Sequence, residues 1–159
     1  MAAAAPTPAV AALIRAKIPH TLLPYHHDPR STAFGDEAVT ALGRDPHQVF
    51  KTLVARMDGT LVVGVVPMSG SLDLKALAAA LGGKKAVLAA VADAERSSGY
   101  VAGGISPMGQ RTALQTVIDD SAEAHALISV SAGKRGLQVE LAPEDLAAVC
   151  RGRFAPIAG

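Results

Sequence analysis

Asp58-Gly59 limits the fold of this 159-residue chain more than any other feature. The dipeptide separates two β-rich runs, Val49 to Met57 and Thr60 to Val66. An Asp-Gly pair between such runs specifies a two-residue type I′ turn, whose two central residues both need a positive φ. A β-hairpin is therefore expected. Its second arm, Leu61-Val62-Val63-Gly64-Val65-Val66, is apolar at every position. A strand without a polar face is expected inside a sheet that is covered on both sides. An all-helical bundle is excluded, and helices or further strands must cover each face.

The rest of the chain supplies them. Thr7 is a good N-cap and Pro8 fits the first helical position. Val10, Leu13, Ile14 and Lys17 follow at helical spacing, and Pro19 marks the end. Thr21 to His26 reads as a short strand interrupted by Pro24, and Asp36 to Leu42 as a short helix closed by Gly43. Asp45-Pro46 could cap one more helical turn. Asp73 caps a helix carrying Leu74, Leu77, Ala78 and Leu81, stopped by Gly82-Gly83. Lys84 to Leu88 is a strand and Ala92 to Ser98 a helix. Gln115 to Ile118, Leu127 to Ser131 and Leu137 to Leu141 are further strands, and Pro143 to Cys150 is the last helix. About seven strands and four or five helices make a mixed α/β (α+β) fold. Residues 7–157 are expected to form a single domain behind a disordered tail, 1–6. No linker and no fixed-period repeat divides it.

Composition removes several classes of function. Apolar residues are 50% of the chain and charged residues 18%, which excludes a chain that is disordered as a whole. The net charge of +1 excludes a strongly basic nucleic-acid coat. The lone cysteine, Cys150, excludes a disulfide framework and a Cys-rich zinc site. Three Phe, two Tyr and no Trp do not furnish a platform for stacking several bases. No apolar run approaches the ~20 residues of a membrane-spanning helix. The first residues lack the basic and apolar regions of a secretory signal, so a cytoplasmic location is expected.

Few residues can carry chemistry. In a strand, Lys51 shares a face with Leu53, Ala55 and Met57, and so opens an apolar row. It either snorkels to water or stands at the rim of a pocket, binding a phosphate or stabilising charge on a carbonyl oxygen. Gly103-Gly104-Ile105-Ser106-Pro107-Met108-Gly109 must be a loop. It is either a tight turn or a place where backbone N–H groups approach a ligand. It matches neither a P-loop nor a dinucleotide fingerprint. His26 and His27 would leave a strand on opposite faces, and no His, Asp or Glu cluster has metal-ligand spacing. No metal or cofactor is expected. Asp119-Asp120 reads as a strand-end turn and Cys150 as a structural thiol. Lys134-Arg135 is an exposed basic turn or, with Arg151 and Arg153, a modest phosphate-contacting patch.

Taken in order, Thr7-Pro8-Ala9-Val10, Tyr25-His26-His27-Asp28-Pro29, Phe34-Gly35-Asp36-Glu37 and Val49-Phe50-Lys51-Thr52-Leu53 form the first half of a longer series. Leu72-Asp73-Leu74-Lys75, Ala80-Leu81-Gly82, Gly99-Tyr100, Gly103 to Gln110, Val130 to Leu137 and Glu140-Leu141 complete it. The series resembles the bacterial Cys-tRNA(Pro) deacylases of the YbaK/EbsC type, in the superfamily of prolyl-tRNA synthetase editing domains. The resemblance runs from Thr7 to about Ile157. It implies a curved, barrel-like mixed sheet and a trans-editing enzyme that hydrolyses tRNA(Pro) mischarged with cysteine. A proline pocket cannot strongly reject a residue of similar size by binding alone, which is why a second sieve is needed. The resemblance also implies that the substrate's own thiol attacks the ester carbonyl, expelling the tRNA 3′-end and forming a cyclic thiolactone, so the protein needs no nucleophile.

By the same resemblance, Lys51 is the functional lysine, and Gly103 and Gly104 bring backbone to the aminoacyl group. Tyr25 and Phe34 line the pocket and Ser131 stands on the opposite wall. Thr52, Ile105, Ser106, Pro107 and Gln138 belong to substrate binding. Relatives often carry aspartate where this chain has Gln138, which puts amino-acid preference in question. Prolyl-tRNA synthetase is the implied partner, supplying through effective concentration the tRNA affinity that a charge of +1 does not. Two other readings stay open: a deacylase for another small amino acid such as alanine, and a non-catalytic module that binds tRNA or the synthetase.

Overall fold

A computed structural model of the chain describes residues 6–159; most of the expected tail, residues 1–5, lies outside the described residues. The hairpin forms as its sequence requires. Strand β2 (Phe50–Met57) pairs antiparallel with β3 (Thr60–Pro67), and Asp58 and Gly59 hold φ of 50° and 86° in the turn. Both faces of β3 are covered. Val63 and Val65 enter one apolar cluster, and Val62 and Val66 enter another on the opposite side.

The elements around the hairpin are α1 (Pro8–Arg15), β1 (Thr21–Pro24), α2 (Phe34–Leu42), α3 (Leu74–Ala80), β4 (Ala86–Leu88) and α4 (Val91–Ser98). After them come β5 (Thr116–Asp119), β6 (Ile128–Lys134), β7 (Leu137–Leu141), α5 (Pro143–Cys150) and β8 (Arg153–Ala155). The expected caps are in place. The Thr7 and Asp73 side chains accept from the N–H groups of Val10 and Ala76, and Gly43 closes α2 in the left-handed region. Lys17 is not in the last turn of α1, which ends at Arg15; Lys17 itself sits at a φ of 56°. Asp45 accepts from the N–H of His47 in a turn rather than a helix.

The mixed α/β class holds, but the barrel does not. The strands form two sheets, β1-β7-β6 and β4-β2-β3-β5-β8, and among the described residues no sheet closes on itself. Of the four edge strands, β1, β4 and β8 have only four, three and three residues, and β6 has seven. Among the described residues the sheets meet at a single parallel bridge, Val49 to Ser129. β8, absent from the sequence-based strand set, extends the second sheet through three residues that carry no alternating pattern.

One apolar cluster fills the space between the two sheets and under α1, α4 and α5, with Phe50, Leu13, Ile128 and Leu146 fully buried. The other packs α3, through Leu77 and Ala78, against the far face of the five-stranded sheet. Among the described residues no helix is long and apolar enough to cross a membrane.

Candidate active site

Where the two sheets part, β2 is left with an open edge. β4 pairs with β2 only from Ala55 to Met57. Met57 and Thr60 close the two-residue turn as a hydrogen-bonded pair, so Lys51 and Leu53 bond to β3 and the backbone groups of Thr52 turn to the open edge. A cavity of about 360 Å³ lies there, at the small end of the ~300–1,000 Å³ range of small-molecule sites. Most of its wall is apolar, from Val49, Phe50, Val54, Met68, Leu88 and Val91.

Its polar groups are few. Among the described residues, Lys51 is the only ionisable side chain on the wall. It is half-buried, with no carboxylate among the described residues within ion-pair distance. Thr52 and Gln138 also line the cavity, and the hydroxyl of Thr52 and the amide oxygen of Gln138 are buried without a hydrogen-bond partner among the described residues. Gln138 is only 6% exposed. A buried acceptor left unmatched costs about 1–3 kcal/mol, and here two such atoms border the same space. Ser131 lines the cavity too, and its Oγ accepts from the Gly133 N–H at 3.2 Å.

Opposite β2 stands the glycine loop. The N–H of Gly104 donates to Val101 at 2.8 Å, closing a turn. Glu95, one helical turn before the end of α4, accepts from the Ala102 N–H at 2.8 Å. On the other side, Arg135 Nε donates to the Ala102 carbonyl at 2.8 Å. The glycines are needed for closeness. A Cβ on Gly103 would meet the Phe34 ring at 2.5 Å, and one on Gly104 would meet the Lys134 backbone at 2.8 Å. The N–H groups of Gly103 and Ile105 donate to no group among the described residues.

Phe34, at the start of α2, is packed on three sides. Gly103 lies against it, the Arg135 guanidinium lies 4.7 Å from its ring centroid, and the His27 ring sits 5.9 Å away, tilted by 41°. Such a cation over an aromatic face is worth about 0.5–1 kcal/mol at an exposed site. Glu37 anchors this end of α2, with Oε1 at 2.6 Å from His27 Nδ1 and Oε2 accepting from the Asp28 N–H at 2.9 Å. The bond with His27, then that from Asp28, holds the Glu37 carboxyl below its ordinary range.

Seven of the residues named from the sequence border the cavity: Phe34, Lys51, Thr52, Gly103, Ile105, Ser131 and Gln138. Gly104, Tyr25, Ser106 and Pro107 do not. Gly104 backs the loop against the β6–β7 turn. Ser106 is fully buried behind it, its Oγ accepting from the Met108 N–H, while the Tyr100 hydroxyl donates to the Met108 carbonyl at 2.7 Å. Burial pushes the Tyr100 phenol up to about 12. Pro107 borders a separate hollow of about 160 Å³ beside Cys150, whose thiol burial pushes up to about 11. Tyr25 is half-buried, its N–H bonded to Gly136 at 2.9 Å; burial raises its phenol as well.

The basic patch drawn from the sequence is divided. Arg135 is engaged at the loop, whereas Arg153 reaches from the edge of the second sheet toward the Ala80 carbonyl, and Arg151 lines the hollow by Cys150. Sequence reasoning also missed Glu95 and the wall from Leu88 to Ala94. The wall carries a signal, since Val91 and Ala94 are three apart on one helix face. Glu95 carries none. Among the described residues no three His, Cys, Asp or Glu side chains converge.

Comparison with known proteins shows the family of the chain. A family model for the aminoacyl-tRNA editing domain matches residues 27–149. EbsC of Enterococcus faecalis (strain ATCC 700802 / V583), provisionally named a Cys-tRNA(Pro)/Cys-tRNA(Cys) deacylase, is 42% identical over 123 residues. That stretch is 77% of this chain and 75% of the relative. Two crystal structures share the fold. One is a provisionally assigned trans-editing enzyme for prolyl tRNA synthetase, at 20% identity and a TM-score of 0.82, covering 96% of this chain and 95% of that one. The other is the hypothetical protein APE2540, at 22% identity and a TM-score of 0.82, covering 95% and 99%. With the family model spanning most of its length, the chain belongs to the aminoacyl-tRNA editing domain family.

Proposed function

We propose that this chain is a trans-editing aminoacyl-tRNA deacylase that removes cysteine from mischarged tRNA(Pro). One observation carries the reading. The cavity holds a single cation, two unmatched buried polar atoms and a glycine loop with free N–H groups, and its wall has no carboxylate, histidine or cysteine among the described residues. Such a site can grip an ester and stabilise charge on its carbonyl oxygen, but it offers no general base and no activated nucleophile. The attacking group must then come with the substrate or from water. A cysteinyl ester brings its own. Its sulfur bonds to the carbonyl carbon, the bond from that carbon to the ribose oxygen breaks, and the thiol proton ends on the ribose hydroxyl. The products are a thiolactone and uncharged tRNA, and water later opens the thiolactone to cysteine.

In this reaction Lys51 and the Gly103 N–H face the carbonyl oxygen as its charge grows. Gln138 Oε1 accepts from the substrate amino group or a ribose hydroxyl, and Thr52 bonds beside it. Phe34 holds the loop at its working distance. Positioning sulfur and carbonyl together is where the protein gains most, since a well-placed internal attack replaces a bimolecular one. The name of the EbsC relative supports the choice of cysteine, and the net charge of +1 favours work alongside prolyl-tRNA synthetase over tight binding of free tRNA. A cytoplasmic site of action goes with that partner.

The test is a panel of charged tRNAs, with and without the synthetase. Cys-tRNA(Pro) should lose its amino acid well above the buffer rate, and S-methylcysteinyl-tRNA(Pro) should not. Equal cleavage of the S-methylated and alanyl esters would replace the thiol mechanism with attack by water. No cleavage of any ester would leave a binding module.

A further inference from the structure

Ala102 contributes its carbonyl, and Gly103 its N–H, to one peptide unit. In a trans peptide these two groups point in opposite directions. The carbonyl is held from outside the cavity by Arg135 Nε at 2.8 Å. Gly103 borders the cavity, and its N–H donates to no group among the described residues. Gly103 has a φ of +84° and, being glycine, tolerates either sign of φ. This peptide could therefore flip at small cost if nothing held it.

From this geometry we infer that Arg135 is a positioning residue: its grip on the Ala102 carbonyl locks the Gly103 N–H toward the bound ester. The inference rests on the deacylase reading above. Arg135 is suited to the task by its shape. Its planar guanidinium lies over Phe34, 4.7 Å from the ring centroid, while its Nε bonds the carbonyl. The other face of the loop is fixed as well, because Glu95 takes the Ala102 N–H at 2.8 Å. One cation and one anion thus clamp the two peptide units that lead into Gly103. A charged donor on the carbonyl also polarises the shared peptide and strengthens its N–H as a donor. Arg135 is exposed at its outer side, so a direct contact to a tRNA phosphate is the competing role, and kinetics separate the two.

Arg135→Met keeps the side-chain stem and removes the planar donor. Deacylation of Cys-tRNA(Pro) should lose on the order of 10- to 100-fold in kcat with little change in KM, and added ethylguanidinium should restore part of it. Arg135→Lys, which keeps charge but not the fork, should resemble the Met variant. A rise in KM with kcat intact, together with a flatter dependence on salt, would overturn the inference in favour of a phosphate contact. A second arm needs no substrate. In the ¹⁵N–¹H spectrum of Arg135→Met the Gly103 amide peak should move or broaden, while that of Leu141, in the core of the first sheet, stays in place. A Gly103 peak unmoved in the variant would refute the positioning role even if the wild-type protein proved inactive on every ester.

Discussion

Gly103 and Phe34 are in such close contact that a single added carbon on the glycine would stand 2.5 Å from the ring. Gly103 also sits at a φ of +84°, where any Cβ is strained. Gly103→Ala is therefore expected to displace Phe34 or the loop, both of which form the cavity wall. The cost in stability should be about 1–3 kcal/mol, read by chemical denaturation. Deacylation should fall much further than stability does. Gly104→Ala should behave differently. Its Cβ would strike backbone, the Lys134 Cα at 2.8 Å, which cannot swing away. The stability loss should be larger for Gly104→Ala than for Gly103→Ala.

Thr52 and Gln138 allow a test in the opposite direction. The Thr52 hydroxyl and the Gln138 amide oxygen are buried at the cavity without partners among the described residues. Apolar replacements of similar shape, Thr52→Val and Gln138→Leu, remove an unmatched polar atom. Thr52→Val should leave stability unchanged or raise it by about 1 kcal/mol, and Gln138→Leu, which also gives up the amide's bond to the Tyr25 phenol, should stay within about 1 kcal/mol of wild type. If these atoms receive donors from the substrate, the same variants should lose deacylase activity. Higher stability with lower activity marks groups kept for a ligand rather than for the fold. Lower stability in both variants would show that the atoms serve the core instead.

Local rules made most of the framework legible. Asp58-Gly59 announced the turn, Thr7 and Asp73 announced two caps, and the unbroken apolar run of β3 announced a strand buried on both sides. The sheet arrangement was not legible. It depends on where β1 and β4 stop pairing, which is decided by contacts between residues far apart in the chain. The same limit applies to the site. Lys51 and the glycine loop stand out by residue type, whereas Glu95 and Arg135 act only because α4 and the β6–β7 turn converge on Ala102. Asp119 is a further case. It looked like an ordinary strand end, but its Oδ1 accepts from both Ile157 and Ala158 N–H groups, each at 2.9 Å.

Asp119 gives the chain a predictable response to acid. Burial has the largest single influence on its carboxyl and pushes it upward. The bonds from Ser121, Ile157 and Ala158 together outweigh burial, and the carboxyl ends below its ordinary value. A carboxylate depressed in the folded state contributes stability that is complete above the unfolded pKa of about 3.9 and fades as pH falls through the folded value. At neutral pH, Asp119→Ala should be less stable than wild type by about 3 kcal/mol, given hydrogen bonds to a charged acceptor. The gap should narrow below pH ~4. Denaturant melts at a series of pH values measure it, and a gap constant down to acid would rule out the carboxylate as its source.

Lys51 bears the sharpest prediction, because its charge has no counterpart among the described residues. It forms no ion pair among the described residues, so nothing in the fold loses an electrostatic partner when the ammonium is removed. Lys51→Met keeps the stem that covers the strand edge, and its melting temperature should stay within about 2 °C of wild type. The bound ester is a different matter. With no other cation on the cavity wall among the described residues, the carbonyl oxygen would develop its charge against one N–H alone. Turnover should fall by about 100-fold or more, the usual size of an oxyanion contact. Lys51→Arg should recover only part of this, since a wide guanidinium cannot enter a small cavity as a compact ammonium does. Single-turnover assays on Cys-tRNA(Pro) separate this effect from binding. If Lys51→Met cleaved the ester at the wild-type rate, charge stabilisation by this residue would be excluded, and the lysine would be left as a strand-end side chain reaching for water.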